Sequence, residues 1–505
     1  MMKDRRTEYI KKAESLKPQK FTTIIAPVTK MPTSVLKEHD TAVIDFGNHY
    51  VGHLRFRISS VGKHQDAPVL IEIKLCEVKK ELEEESSNYK GWISKGWIQE
   101  EWIHVDVLPA IIELPRRYAF RYVKIEVLAV SRNFSIVIDQ MEATTITSAD
   151  DKNIEVCKGL SKDEKVIDSI AIRTLRNCMQ DVFEDGPKRD RRLWIGDLRL
   201  QALVNYATFS QNDLVKRCIY LFAGTTNNEG QVRACLFTEP QVEGDDTLMF
   251  DYSLFFIPIL CDYYHATKDI ETVFDLYEVA KKQIELAKKR FDEENIVKDS
   301  EDITWCFLDW NLKLNKQTGA QAIYIYCAKA LLEIMKSLHK LDSNYVLMED
   351  IESLEKDIEL KIQAAKRYLY DEEKGLFVSG SKKQISYAAN VWAVLAGILD
   401  DRKNCEILHR LMRCEKAEKM VTPYMYHHFV EALCICGEKQ IAYDVMMQYW
   451  GQMVENGADT FYELFNPENP NESPYGSSIV NSYCHAWSCT PTYLMRKYDL
   501  VKEKM

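Results

Sequence analysis

FSIVIDQMEATTITSADDKNIEVCKGLSKDEKVIDSIAIRTLRNC, from Phe134 to Cys178, changes its period in the middle. The opening FSIVIDQM sets apolar residues at alternate positions, as a strand with one buried face does. The closing part places Val166, Ile167, Ile170, Leu175 and Cys178 on one helical stripe. Between them SADDKN, Ser148–Asn153, is wholly polar apart from one alanine. A β region ends here and an α region begins, and each can be read outward from this point.

Upstream, from about Phe21 to Thr147, TAVIDFG, HLRFRIS, VLIEIKL, WIHVDVL and YVKIEVLAV alternate or run apolar, with Gly62 and Pro115 among the residues that punctuate them. Short strands in series without intervening helices predict a β-sandwich of jelly-roll type. One stretch breaks the pattern: EVKKELEEESSNYKG, Glu77–Gly91, is polar and reads as a long loop, free either to reach a neighbouring site or to stand in solvent. Downstream, helical periodicity recurs near 163–180, 198–210, 212–223, 250–266, 270–291, 320–340, 350–370, 388–399, 402–413, 425–436, 439–455 and 484–497. Taken as hairpins, these helices suit an (α/α)6 toroid, and no self-similar repeat supports a solenoid. The expected organisation is multidomain: an N-terminal extension at 1–20, a jelly-roll-like β-sandwich at 21–150 and an all-α toroid at 151–505.

Composition narrows the function. The 505 residues carry 66 Lys and Arg against 77 Asp and Glu, a net charge of −11 that gives no support to a nucleic-acid surface. The 14 cysteines are scattered, without a CxxC pair or zinc-site spacing, and read as buried thiols of a reducing compartment. His427-His428 are adjacent on a helix, where neighbours cannot chelate one ion together, so no metal site is expected there. The N-terminus MMKDRRTEYIKKAESLKPQK is charged throughout, unlike a signal peptide, and no run of about 18 apolar residues could span a membrane. The cytoplasm is the expected address.

Four segments carry chemistry. FEDGPKRDRRLWIGD, Phe183–Asp197, interleaves Asp185, Asp190 and Asp197 with arginines, after a Gly186-Pro187 pair expected to end the first helix. Such a loop is either a salt-bridged surface or a set of oriented carboxylates. GADTFYELFNPENP, Gly457–Pro470, holds Glu463 among Phe461, Tyr462 and Phe465, where desolvation would raise a carboxyl pKa. His485 and Trp487 follow in NSYCHAWSCTP, His485 being read as a helical residue. DITWCFLDWN, Asp302–Asn311, flanks Asp309 with Trp305 and Trp310, and MFDYSLFF puts Asp251 and Tyr252 at the start of an apolar helix. A carboxylate beside an indole grips a sugar by hydroxyl bonds and ring stacking; Asp251 is equally explained as a helix cap. Two of these acids could form a glycosidase pair.

Together DGPKRDRRLWIGD, FLDWN, GADTFYELF and NSYCHAWSCTP resemble, in linked order and over most of the chain, the α-L-rhamnosidases of glycoside hydrolase family 78. The resemblance implies a β-sandwich followed by an (α/α)6 catalytic domain, a carbohydrate substrate, no metal or organic cofactor, and inverting exo-hydrolysis of terminal α-L-rhamnose-like sugars. The family's first motif frequently reads DCPQRDERLGWTGD. Here the loop is one residue shorter, Gly186 and Lys188 replace two residues, and Arg191 stands in place of the glutamate that acts as general acid. The acid role is therefore carried to Asp190, the only carboxylate between Asp185 and Asp197. Glu463 parallels the general base, and Asp185, Arg189, Trp194, Asp197, Asp309, Trp310 and His485 are expected to line the sugar subsite. Asp251 joins them on its own acid–aromatic context. The chain ends shortly after HAWSCTP, so the family's common C-terminal β-sandwich is expected to be missing. Two alternatives stand beside this reading: the same mechanism on another sugar, and a catalytically silent carbohydrate-binding relative, suggested by Arg191.

Overall fold

The computed structural model describes residues 2–30, 34–299 and 305–504. Its N-terminal β domain comprises β1 (Phe21–Ile25), β2 (Thr41–Gly62), β3 (Val69–Cys76), β4 (Glu100–Val105), β5 (Ala110–Glu113), β6 (Tyr118–Ala129) and β7 (Phe134–Thr147), all antiparallel. The two strands expected at TAVIDFG and HLRFRIS are one: β2 pairs β6 over Thr41–Gly52, then β7 over Gly52–Gly62 with β5 on its other side. This long strand serves both layers of the sandwich. Gly52 sits at the changeover, where an added Cβ would stand 2.1 Å from the Thr144 carbonyl oxygen, so no other residue fits. Inward-facing Ile44, Phe46, Leu54, Phe56, Ile71, Ile73, Val123, Ile125 and Ile136 form the core between the layers.

The helices are α1 (Met2–Ser15), α2 (Lys162–Cys178), α3 (Ile195–Ala207), α4 (Asn212–Gly224), α5 (Phe250–Thr267), α6 (Ile270–Lys288), α7 (Gln317–Leu341), α8 (Met348–Tyr368), α9 (Tyr387–Leu395), α10 (Asp401–Met412), α11 (Pro423–Ile435), α12 (Lys439–Glu455) and α13 (Pro491–Tyr498). From α3 onward each odd-numbered helix packs on the next, and α13 returns to α3, which closes an inner ring of six. The sequence shows why: α5, α9 and α11 are buried almost all round, whereas the outer α8 and α10 have one apolar stripe and a charged face. Among the described residues, no helix is long and apolar enough to cross a membrane.

Three expectations need correction. The first toroid helix ends at Cys178, well before Gly186-Pro187, because Met179 leaves the helical conformation and caps it. The last begins at Pro491, not near 484, since proline lacks the N–H that a helix interior needs and is preorganised for the first turn. His485 therefore sits in a non-helical segment, at the cap of a short turn, Ala486–Ser488. The N-terminal extension holds a helix the charge pattern conceals: Tyr9 and Ala13 are buried, and Ile10 lies where a side chain at Gly224 would clash.

The polar Glu77–Gly91 loop does not stand in solvent. It docks on the toroid: Glu77 accepts from the Tyr483 backbone N–H at 2.7 Å, and Ser478 donates to Glu84. Lys188, fully buried, pairs with Glu81 and donates to the carbonyls of Ile479 and Asn481 at 3.2 and 3.0 Å. Burial works against its charge, but Glu81 and Glu77 hold Lys188 above the ordinary lysine range. Removing one member of a buried pair strands the other. Lys188→Met is expected to lower the unfolding free energy by about 3–5 kcal/mol in urea titration at pH 7, and adding Glu81→Gln to recover part of that loss.

Candidate active site

Every segment singled out by the sequence precedes an inner helix. The Asp185–Trp194 loop leads into α3, Met249 into α5, the Trp305–Lys316 loop into α7, and Glu463 to Trp487 into α13. The inner helices are parallel by ring symmetry, so their entry loops gather at one end of the toroid. There they enclose a cavity of about 600 Å³, whose lining includes Asp185, Asp190, Trp194, Asp197, Glu463, His485 and Trp487. The expected segment starts at Asp302, but residues 300–304 lie outside those described.

Glu463 is pinned from four sides. Its N–H donates to Ser482 O at 3.0 Å and its carbonyl accepts from the Trp487 indole at 2.9 Å. One carboxylate oxygen accepts from Arg189 Nη2 and the other from the Tyr475 hydroxyl. Both partners donate, so both oxygens act as acceptors, the arrangement of an ionised carboxylate. This differs from the apolar aromatic surrounding expected from FYELF: the neighbouring phenylalanines pack away, and a guanidinium comes from a distant loop.

Arg189 is fully buried and is not on the cavity wall, against expectation; it works from behind. Its Nε donates to Val480 O at 3.0 Å, its Nη2 also to Tyr475 Oη at 2.9 Å, and its plane lies 4.1 Å from the Tyr475 ring centroid. Its Nη1 stands 3.2 Å from Asp190 Oδ2, so one guanidinium bridges Asp190 and Glu463. Asp190 and Arg191 have φ of 63° and 53°, the left-handed region that costs a non-glycine residue about 1–3 kcal/mol. That twist aims Asp190 into the cavity and turns Arg191 out of it, to donate to Arg117 O at 2.7 Å. Gly186 permits the turn, since a Cβ there would meet Ser482 Oγ at 2.6 Å.

Asp185 and Asp197 flank His485, with Asp185 Oδ2 3.7 Å from Nε2 and Asp197 Oδ1 3.6 Å from Nδ1. The loop's arginine side chains point away from these two acids, Arg192 towards Asp245 at 3.5 Å. Burial, with repulsion from Asp190 and Asp197, instead pushes Asp185 well above the carboxylate range; burial and Glu463 do the same to Asp197. Burial keeps the His485 imidazole neutral. Asp197 Oδ1, His485 Nδ1 and the Trp310 indole N–H are buried without a hydrogen-bond partner among the described residues.

Two other expected sugar contacts hold loops. Asp251 is off the cavity wall: it is neither N-cap nor ligand, for Met249 is the N-cap and Asp251 Oδ2 accepts from the Phe307 and Leu308 N–H groups at 2.9 and 3.2 Å. It thereby secures Leu308 at a φ of 56°. Burial lifts Asp251 to about 6. Asp309 reaches the cavity, but Oδ2 accepts from Val421 N at 2.9 Å and Oδ1 from Thr422 Oγ1 at 2.6 Å and Trp310 N at 2.9 Å. Its carboxyl, lifted to about 7 by burial against these donors, locks Trp310 in place. Sequence reading missed Tyr475 and Trp92; Tyr475 is an isolated aromatic in a polar, Gly- and Ser-rich loop and Trp92 lies in the Ser- and Gly-containing SSNYKGWISKGW, a signal in retrospect.

A six-hairpin toroid whose inner-helix entry loops set buried carboxylates among indoles defines a glycoside hydrolase. Residues 7–145 match the model of the glycosyl hydrolase family 78 α-rhamnosidase N-terminal domain, and residues 161–498 that of the bacterial α-L-rhamnosidase six-hairpin glycosidase domain. The chain belongs to glycoside hydrolase family 78, the α-L-rhamnosidases. Among solved structures it is similar to a rhamnosidase from Klebsiella oxytoca with rhamnose bound, at 41% identity and TM-score 0.93, covering 98% of this chain and 99% of that one. A family 78 rhamnosidase of Bacillus sp. GL1 shares the fold at 19% identity and TM-score 0.76, covering 93% of this chain and 48% of that one. The Streptomyces avermitilis α-L-rhamnosidase complexed with L-rhamnose does so at 15% identity and TM-score 0.68, over 95% and 44%. No curated protein matches the chain.

Proposed function

We propose that this enzyme removes terminal α-L-rhamnose from glycosides by exo-hydrolysis with inversion at the anomeric carbon. The carrying observation is the Arg189 bridge, which places Asp190 and Glu463 on one sugar-sized cavity although their loops are far apart in sequence. Asp190, the more exposed of the two at 22% against 6%, faces the mouth and donates its proton to the leaving oxygen. Glu463, with acceptor oxygens fixed at depth, takes a proton from the water that attacks the opposite face. Asp185, Asp197, His485 and the Trp310 N–H bind ring hydroxyls, while Trp194 supplies a stacking face. Arg189, Asp251 and Asp309 are positioning residues.

Arg191 is turned to Arg117 O and leaves Asp190 in the acid position, which disfavours a silent binder. Ten of the fourteen cysteines are buried, which supports a reducing, cytoplasmic setting. The test is hydrolysis of p-nitrophenyl α-L-rhamnoside with the anomer followed by NMR. The β-anomer of rhamnose should appear first. First release of the α-anomer would mean a double displacement, and no release from a panel of aryl glycosides would leave only binding.

A further inference from the structure

The cavity is polar at depth and apolar at its mouth, and the mouth is built by both domains. Trp92 comes from the β-sandwich loop, yet its backbone N–H donates to Tyr475 O at 3.1 Å and its indole N–H to Pro474 O at 2.9 Å. Its ring centroid lies 5.6 Å from that of Tyr475. A tryptophan held this firmly while 70% exposed presents a preorganised ring face to the cavity it lines. Trp305, 49% exposed, and Leu312, 89% exposed, line the same cavity. Large apolar groups left in water on a rim cost free energy unless something covers them.

Three polar side chains of the same cavity, Asn311, Lys316 and Thr247, are each tethered to a protein partner. Asn311 Nδ2 donates to Lys419 O at 3.0 Å, Lys316 Nζ to Cys306 O, and Thr247 Oγ1 to Asp245 Oδ1 at 3.2 Å. The unpartnered groups, Asp197 Oδ1, His485 Nδ1 and Trp310 Nε1, are buried below the rim. A second sugar in the mouth would lay its hydroxyls against indole and leucine with few partners to replace water, a loss that hydrogen-bonding groups feel strongly.

We infer that the leaving-group subsite selects a flat, apolar aglycone over a second sugar, and that Trp92 of the β-sandwich is its specificity-determining residue, with Trp305 and Leu312 as the further exposed apolar groups of that subsite. This rests on the rhamnoside-hydrolase reading and adds the chemistry of the leaving side. Naphthylmethyl α-L-rhamnoside and a methyl glucoside carrying α-L-rhamnose on its primary hydroxyl both release primary alcohols, so their need for protonation is alike. The enzyme should prefer the naphthylmethyl substrate in kcat/KM by about tenfold or more. Trp92→Ala should abolish most of that preference, mainly through KM, and Trp92→Phe, which keeps a ring, should retain most of it.

Equal or better cleavage of the disaccharide, or an equal loss on both substrates in Trp92→Ala, overturns the inference. Free naphthylmethanol, followed by saturation-transfer NMR, reads the rim independently of turnover. It should bind the wild type and bind Trp92→Ala far more weakly, even if no rhamnoside is hydrolysed. Equal binding to both proteins would sink the aglycone subsite while leaving the rhamnosidase reading intact.

Discussion

Glu463→Gln is expected to lower kcat by about 10³- to 10⁴-fold, and by the same factor on p-nitrophenyl and methyl α-L-rhamnoside. The equality follows from the step affected. A general base acts on the attacking water, and that water is the same whatever group departs. The amide cannot take its proton, and it also sets an N–H₂ against one of two donors, Arg189 Nη2 or the Tyr475 hydroxyl. Part of the loss could therefore be mere disorder, so two controls are needed. Thermal unfolding should show Glu463→Gln still cooperatively folded, and sugar binding by calorimetry should fall far less than kcat. Azide supplied to Glu463→Ala gives a direct check, because an anion needs no deprotonation and fits the space of the lost carboxyl. It should restore turnover and yield the β-azide. A retained kcat, or a loss confined to methyl rhamnoside, would remove Glu463 from the base role.

The fold was legible because its two halves have different periods, and the change between Met141 and Val166 is local information. Details set by packing were not. Nothing in TAVIDFGNHYVGHLRFRIS shows that one strand continues past Gly47, where its pairing is irregular, and through Gly52, since glycine ordinarily punctuates. Only the close approach of Thr144 at Gly52 explains that residue. In the site, acid–aromatic segments were found because rare residue types cluster in short spans. Partners that act across the fold were not: Arg189 and Glu463 meet only because the entry loops of α3 and α13 share one end of the ring. Likewise Asp251 and Asp309 have the residue types of sugar ligands, but hydrogen-bond saturation decides their role, and saturation is a three-dimensional property. The polar loop from Glu77 was left open for the same reason, as Lys188 and Tyr483, which anchor it, lie in other segments.

Asp190→Asn should behave in the opposite way to Glu463→Gln and show a strong dependence on the leaving group. On methyl α-L-rhamnoside, whose alkoxide leaves poorly, kcat/KM should fall by about 10³-fold or more, since the departing oxygen must be protonated as the bond breaks. On p-nitrophenyl α-L-rhamnoside the nitrophenolate leaves unaided, and the loss should shrink to about tenfold, the residue being lost positioning. The pH profile provides a second signature. A general acid works only while protonated, so its contribution is lost as pH rises; the alkaline limb of kcat/KM should vanish in Asp190→Asn and the acid limb, set by the base, should remain. Arg189 sharpens the test because it touches both carboxyls. If Asp190 served only to orient that guanidinium, its substitution would disturb Glu463, and both substrates would suffer alike with the alkaline limb unchanged. A leaving-group dependence with loss of that limb can arise only if the proton on Asp190 is the one transferred, and equal losses on the two substrates would return the acid role to another group of the cavity, with Asp185 and Asp197, both pushed up by burial, the first to substitute.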